Sequence, residues 1–264
     1  MATIKVLVVW WWWSGAAGKT ATYYWPGGAG GQVVYNATYT ITPWAKTVTI
    51  GTGWASIGTT VDINGNNGTS SVFDSITAPW GLWGQFNTGS GGTTSSVING
   101  TTTNYTGGTQ TGSATGGGAG AWANGWNAPS SSQSGTGGAG YTNSISGSAV
   151  TYGWGGWGSE LANPWVWGTG GGGNGATNTA NGTGWTDWLG GGGGGATSLK
   201  TTPKWGDGVV IVSYATNWSD WVSTSSTGGT ITTSGGQTIH TFTSSGTWTM
   251  VASGTVNSNF LMFF

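Results

Sequence analysis

No cysteine and no arginine occurs in this chain of 264 residues, and only one histidine, five lysines and six acidic residues are present. Without cysteine there are no disulfides and no thiolate metal ligands, and the redox compartment is left open. Charged residues make up 4% of the sequence, against roughly 25% in ordinary globular domains. A formal net charge of −1 gives no electrostatic reason to expect nucleic acid or an anionic membrane as partner. Long apolar runs are missing too: none reaches the roughly 18 residues of a membrane-spanning helix. The opening "MATIKVLVVWWWW" has the lysine-then-apolar outline of a signal peptide, but it reads better as a strand.

What is abundant is glycine, with 56 residues, accompanied by threonine, serine and asparagine. Glycine costs about 1 kcal/mol against alanine inside a helix, so the expected class is all-β or irregular. Short β-branched or aromatic runs between turn-rich tracts are the strand candidates. They are "TIKVLVV" (3–9), "QVVYNATYTIT" (32–42), "KTVTI" (46–50), "SVFDSIT" (71–77), "SAVTY" (148–152) and "GVVIVSY" (208–214). "GTITTS" (229–234), "QTIHTFTS" (237–244) and "TWTMVA" (247–252) alternate as hairpin strands with one buried face. "VLVV" and "GVVIV" are unbroken apolar runs, as in strands buried on both faces. They bracket roughly 200 residues as the first and last strands of one module. The expected division is a glycine-rich domain over 1–215 and a C-terminal β-hairpin segment over 216–264.

The glycine tracts, such as "ATGGGAGAWANG" (114–125), "YGWGGWG" (152–158), "GTGGGGNGAT" (168–177) and "LGGGGGGAT" (189–197), admit two readings. One is flexible linker. The other is packed polyglycine II, an extended helix with three residues per turn whose backbone groups point outward. Several tracts enclosed by strands favour the packed form, capped by short β-strands.

Tryptophan is the anomaly: 21 residues, against 8 tyrosines and 6 phenylalanines. Most interrupt glycine tracts (Trp122, Trp126, Trp154, Trp157, Trp185, Trp188) or occupy turns where glycine is wanted (Trp44, Trp54). Only Trp248 stands where an alternating strand calls for an aromatic. Replacing most of the others by glycine makes the sequence regular. A gene that reads UGA as glycine, translated with a table that reads it as tryptophan, yields this pattern. The alternatives are a genuine aromatic surface that binds sugars or a host envelope, and deliberate engineering. A tight glycine lattice is expected to have no room for so many indoles, since overpacking costs ~1–3 kcal/mol per site.

With that substitution, the chain resembles the glycine-rich domain of phage tail-fibre adhesins and of large surface proteins of uncultured bacteria. The residues that carry the resemblance are "KVLVV" with its following tract, "GGAGGQVVYNATYTITPWAKTVTIGTGW" (27–54), "GGGGNGATNTANGT" (170–183) and "DGVVIVSY" (207–214). The tail "GGTITTSGGQTIHTFTSSGTWTM" (228–250) resembles the β-segment that separates or follows such modules. The resemblance implies a polyglycine II core capped by a β-sheet, displayed extracellularly on a virion or cell surface, with binding done by loops. The implied partners are a host cell-surface receptor and neighbouring fibre subunits or modules, with no nucleic acid and no membrane insertion. A Trp-mediated carbohydrate-binding module and a purely structural fibre protein are the alternatives.

Catalytic motifs are poorly supported, and no catalytic, cofactor-binding or metal-binding residue is assigned; no cofactor is expected. With glycine at Trp13, residues 13–20 match a phosphate-binding loop, yet "ATYYWPGGAGG" follows where a helix must open. His240 alternates with Thr238 and Phe242 and is expected on a strand face or in the core. Asp62, Asp74, Glu160, Asp187, Asp207 and Asp220 are scattered singly. "DINGNNG" (62–68) has Phe73 where a calcium loop needs its twelfth-position acid. The Asn-X-Ser/Thr triplets at Asn36, Asn67, Asn99, Asn104, Asn181 and Asn217 are expected by chance in such a composition.

Overall fold

The structure, a computed structural model, describes residues 1–10, 25–52, 69–78, 84, 88–159, 171–177, 180–183, 189–197 and 207–254. No helix forms among them. The central sheet has seven strands in the order β11-β12-β10-β1-β2-β6-β7. These are β1 (Ala2–Val9), β2 (Val33–Ile41), β6 (Thr94–Ile98), β7 (Thr101–Tyr105), β10 (Val209–Ala215), β11 (Thr230–Ser234) and β12 (Gln237–Phe242). All neighbours are antiparallel except β2 and β6. The bracketing runs become β1 and β10, paired side by side from Lys5–Ser213 to Val9–Val209.

Alternation along β1 splits its side chains between two faces. Ile4, Val6 and Val8 join Val210, Val212, Tyr214, Val34 and Phe242 on one face. That face packs on a second sheet, ordered β13-β3-β4-β5, through Val48, Phe73, Ala78, Trp248 and Met250. Its strands are β3 (Trp44–Thr49), β4 (Ser71–Phe73), β5 (Ile76–Ala78) and β13 (Gly246–Met250). Strands from residues 216–264 therefore sit in both sheets, β12 against β10 and β13 against β3. On the opposite face Leu7, Val9, Val33, Val209, Ile211 and Ile239 pack against Ile145, Tyr152 and Ala121. Tyr152 belongs to a two-stranded hairpin, β8 (Tyr141–Asn143) with β9 (Val150–Tyr152), and Ile145 lies in its loop. The double burial of β1 and β10 explains their unbroken apolar runs.

The described glycine tracts are ordered. Segment 115–121 lies at the centre of a bundle of extended rods, and its amides donate in a three-residue cycle. Thr115, Gly118 and Ala121 donate to Ser159, Gly156 and Gly153; Gly116 and Ala119 donate to Gly89 and Gly92; Gly117 and Gly120 donate to Trp126 and Ala123. Its carbonyls follow the same cycle. Thr115 and Gly118 accept from Gly135 and Gly138, Gly116 and Ala119 accept from Gly27 and Gly30, and Gly117 accepts from Gly108. Six surrounding rods, 25–32, 89–92, 106–109, 123–128, 134–140 and 153–159, thus bond to one central rod among the described residues. A period of three with outward-facing groups is the signature of polyglycine II. Rods 171–176 and 190–196 extend the lattice outward through Trp157 N to Gly173 O (3.0 Å) and Gly195 N to Trp157 O (2.8 Å).

Side-chain-free backbone is what permits this approach. A methyl group added at Gly118 would lie 2.0 Å from the Gly28 carbonyl oxygen, and one at Gly116 would lie 1.9 Å from that of Gly108. Cohesion is therefore mainly backbone hydrogen bonding at close contact, each bond worth about 0.5–1.5 kcal/mol net.

The indoles are accommodated differently from the expectation. Trp122 and Trp126 are 55% and 69% exposed at the lattice edge. Trp154 and Trp157, half-buried, are three residues apart, which places both on one face of their rod. Trp10 and Trp25 are fully buried, and the Trp10 indole N–H donates to the Thr69 carbonyl. Trp54, Trp185 and Trp188 lie outside the described residues, as do Trp11–Trp13.

Candidate functional site

Five of the rods begin or end where a strand does: 25–32 runs into β2, 89–92 into β6, 134–140 into β8, while 106–109 leaves β7 and 153–159 leaves β9. Their far ends, away from the sheets, close in tight turns. Thr111–Ala114 and Ser130–Gln133 close as isolated antiparallel bridges, and Thr177 N donates to Ala180 O (3.0 Å). Side chains about 18 residues apart tie adjacent rods together from the sheet end to the turns. Asn124 and Asn127 accept from the amides of Thr106 (2.9 Å) and Thr109 (2.8 Å), and the Ser113 hydroxyl donates to Ser131 O (3.3 Å). Thr109, Gln110, Thr111, Ser131, Ser132 and Gln133 remain exposed. The result is a patch of hydroxyls and amides on a rigid support.

A second feature sits at the sheet end. On the face that carries Leu7 and Val9, three neighbouring strands each change from apolar to polar. Leu7 gives way to Lys5, Ile211 to Ser213, and Ile239 to Gln237, with Lys5 opposite Ser213 and Ser213 opposite Ile239. Here the sheet floor opens into a groove of about 320 Å³, roofed by Asn143, Ser144, Ile145 and Gly147 of the β8–β9 hairpin. Ser234 Oγ donates to Gly147 O (3.3 Å) and ties the β11–β12 turn to that roof. Tyr35 walls the groove, its ring 6.2 Å from that of Tyr141, which in turn lies 5.4 Å from Trp122. Burial raises the Tyr35 phenol above its usual value, partly offset by a hydrogen bond from Asn143.

Among the described residues, His240, Asp74, Lys46 and Asp220 have structural partners. His240 is buried in the inter-sheet core, stacked on Tyr214 (5.5 Å) and edge-on to Trp248 (6.0 Å). Its Nδ1 lies 2.7 Å from the Gly228 carbonyl, which can only accept, so Nδ1 carries the proton. Nε2 is then the acceptor for the Tyr214 hydroxyl at 2.8 Å. Burial holds the imidazole pKa below its usual value, in keeping with a neutral core histidine. Asp74 bonds Tyr39 (2.7 Å) and pairs with Lys46 (3.5 Å), and Asp220 accepts from Ala215 N (2.7 Å). Phe73 is buried in the core. Asp207 lies just before β10. The phosphate-loop match at 13–20, the "DINGNNG" segment, Glu160 and Asp187 lie outside the described residues. Among the described residues no group of three His, Asp or Glu side chains could hold a metal ion, and no helix is long and apolar enough to cross a membrane.

The sequence reading did not anticipate the groove. Its signal was the lone Lys5 interrupting an apolar strand, and the serine that ends the apolar run of β10.

Comparison with curated proteins and with solved structures gave no match. The family model for a glycine-rich domain matches residues 4–215, from β1 to the last residue of β10. The chain belongs to that glycine-rich domain family.

Proposed function

We propose that this chain is a non-enzymatic module of a tail fibre or a large surface protein. In that role it mediates host or surface attachment outside the cell. The observation that carries the reading is the turn patch: hydroxyl and amide side chains held in register at the far end of a hydrogen-bonded lattice. Pre-organised loops on a stiff scaffold bind with little ordering cost. The engagement of His240, Asp74 and Asp220 in structural bonds fits a binding rather than a catalytic role. The test is binding of fluorescently labelled protein to a panel of bacterial species. Adhesion is expected to at least one, and to be lost when 109–113 and 130–133 are replaced by Gly-Ser segments of equal length. Adhesion to none, or adhesion unchanged by the exchange, would overturn the reading.

We further infer that most of the tryptophans stand at positions that are glycine in the native protein, through a gene that reads UGA as glycine. Five non-glycine residues described have positive φ: Asp74 (53°), Asn99 (50°), Trp44 (93°), Trp218 (62°) and Trp221 (62°). Aspartate and asparagine visit this region readily; a bulky aromatic does not. Three tryptophans thus occupy the backbone conformation that glycine takes freely. Peptide mass spectrometry on protein from its natural source decides the matter. Glycine is expected at 44, 218 and 221, with tryptophan kept at 248. Tryptophan at all three would contradict the inference.

A further inference from the structure

We propose that the groove between the β8–β9 hairpin and the central sheet is a saccharide site that takes a sugar bearing a carboxylate. The proposal rests on the attachment reading above and gives it a ligand class. Four observations carry it. First, the volume of about 320 Å³ falls at the low end of small-ligand sites, roughly 300–1,000 Å³. Second, the lining combines amides (Asn143, Gln237) and hydroxyls (Ser144, Ser213, Ser234, Tyr35). Each of these can donate as well as accept, which is what sugar hydroxyls require. Third, the Tyr35 ring walls the groove, with the Tyr141 ring 6.2 Å behind it, and a sugar's C–H face packs on such a surface while its hydroxyls reach the polar floor. Tyr141 is half-exposed beside Trp122, and glycine at 122 would leave more of its ring open.

The fourth observation selects the charge. Lys5 lines the groove, and its ammonium makes no ion pair or hydrogen bond among the described residues. No Asp or Glu is among the described lining residues. In a chain with five cations, one stands half-buried in a polar groove without a counter-ion. A ligand carboxylate supplies that partner by a charge-assisted hydrogen bond, roughly twice as strong as a neutral one.

The geometry is held independently of any ligand. Asn143 Oδ1 accepts from Ile145 N (2.8 Å), and its amide donates to the Tyr141 hydroxyl (3.1 Å). Gln237 Oε1 accepts from the Ser213 hydroxyl (3.3 Å). Asn143 and Gln237 are thereby oriented before binding.

The test is NMR titration of the full chain with glucuronic acid and, separately, with glucose, following the Asn143 and Gln237 side-chain amides. Glucuronic acid is expected to shift both amides and to bind more tightly than glucose. Lys5→Gln, which removes the charge and keeps a polar end group, is expected to weaken glucuronate binding about tenfold and to leave glucose little changed. Tyr35→Phe, which keeps the ring, is expected to retain part of the affinity for both. Absence of shifts with either sugar would overturn the site. Equal glucuronate affinity in parent and Lys5→Gln would overturn the role of charge. A protein that adheres to cells through its turns yet ignores glucuronate loses this proposal alone; one that binds glucuronate and no cell loses the attachment reading alone.

Discussion

Replacing Gly118 by alanine separates a packed lattice from a linker by the sign of its effect. The added methyl lies 2.0 Å from Gly28 O and 2.4 Å from Gly28 C, where ordinary contact begins at 3.4 Å. One rod must therefore retreat by about 1.4 Å from another. Four hydrogen bonds of 2.8 Å converge there: Gly118 N to Gly156 O, Gly138 N to Gly118 O, Gly156 N to Gly28 O, and Gly28 N to Gly193 O. Losing two of them costs ~1–3 kcal/mol, and overpacking adds ~1–3 kcal/mol. The expected destabilisation is thus roughly 2–6 kcal/mol, a large part of the ~5–15 kcal/mol typical of a domain. In a flexible tract the same substitution would be neutral, or stabilising by about 0.4–1 kcal/mol where the backbone suits alanine. Gly246→Ala is the control, since nothing lies within 4 Å of its added methyl. Urea denaturation followed by circular dichroism reads both. A Gly118→Ala protein at least as stable as the parent would refute close packing of the rods.

Trp44→Gly, Trp218→Gly and Trp221→Gly are each expected to raise stability by roughly 0.5–1 kcal/mol, because a positive φ strains any residue with a Cβ. Trp248→Gly, which empties a fully buried site between Phe73 and Tyr214, is expected to cost ~3–5 kcal/mol. Thermal melts of the four variants check both signs. His240 binds its proton less readily folded than unfolded. Stability is therefore full above the ordinary imidazole value of 6.5 and falls as pH drops below it. Urea midpoints between pH 8 and pH 5 measure this, and the slope is expected to vanish in a folded His240→Gln variant.

Much of the β-architecture was legible because its cause is local. "VLVV" and "GVVIV" announced strands covered on both faces, and the "QTIHTF" alternation placed His240 with Phe242 on the inter-sheet face while Ile239 faces the opposite way. The hairpin β6–β7 was missed because its strands read "TSSVI" and "TTTNY", mostly polar and near the sheet edge. The signal was in the turn: Asn99-Gly100, with φ of 50° and 83°, forms the two-residue connection that suits strand twist. β8 went unread for the same reason, being three residues that face the groove and solvent. Lys5 and Ser213 hinted at a polar break, but the groove itself depends on which strands become neighbours across more than 200 residues. The tolerance of Trp154 and Trp157 was equally hidden, because only the arrangement of rods shows which face of a glycine segment is left uncovered.

Native-state hydrogen exchange tests the lattice most directly. The amides of Gly116, Gly117, Gly118, Gly138 and Gly156 all donate within it at 2.8–3.1 Å. They are expected to exchange only through large-scale opening, as slowly as the amides of β1 and β10. Gly112 and Gly235, in exposed turns, are expected to exchange at once. Exchange of Gly116–Gly118 within the dead time, while β1 and β10 stay protected, would show that the tracts are loose chain and that no polyglycine lattice exists.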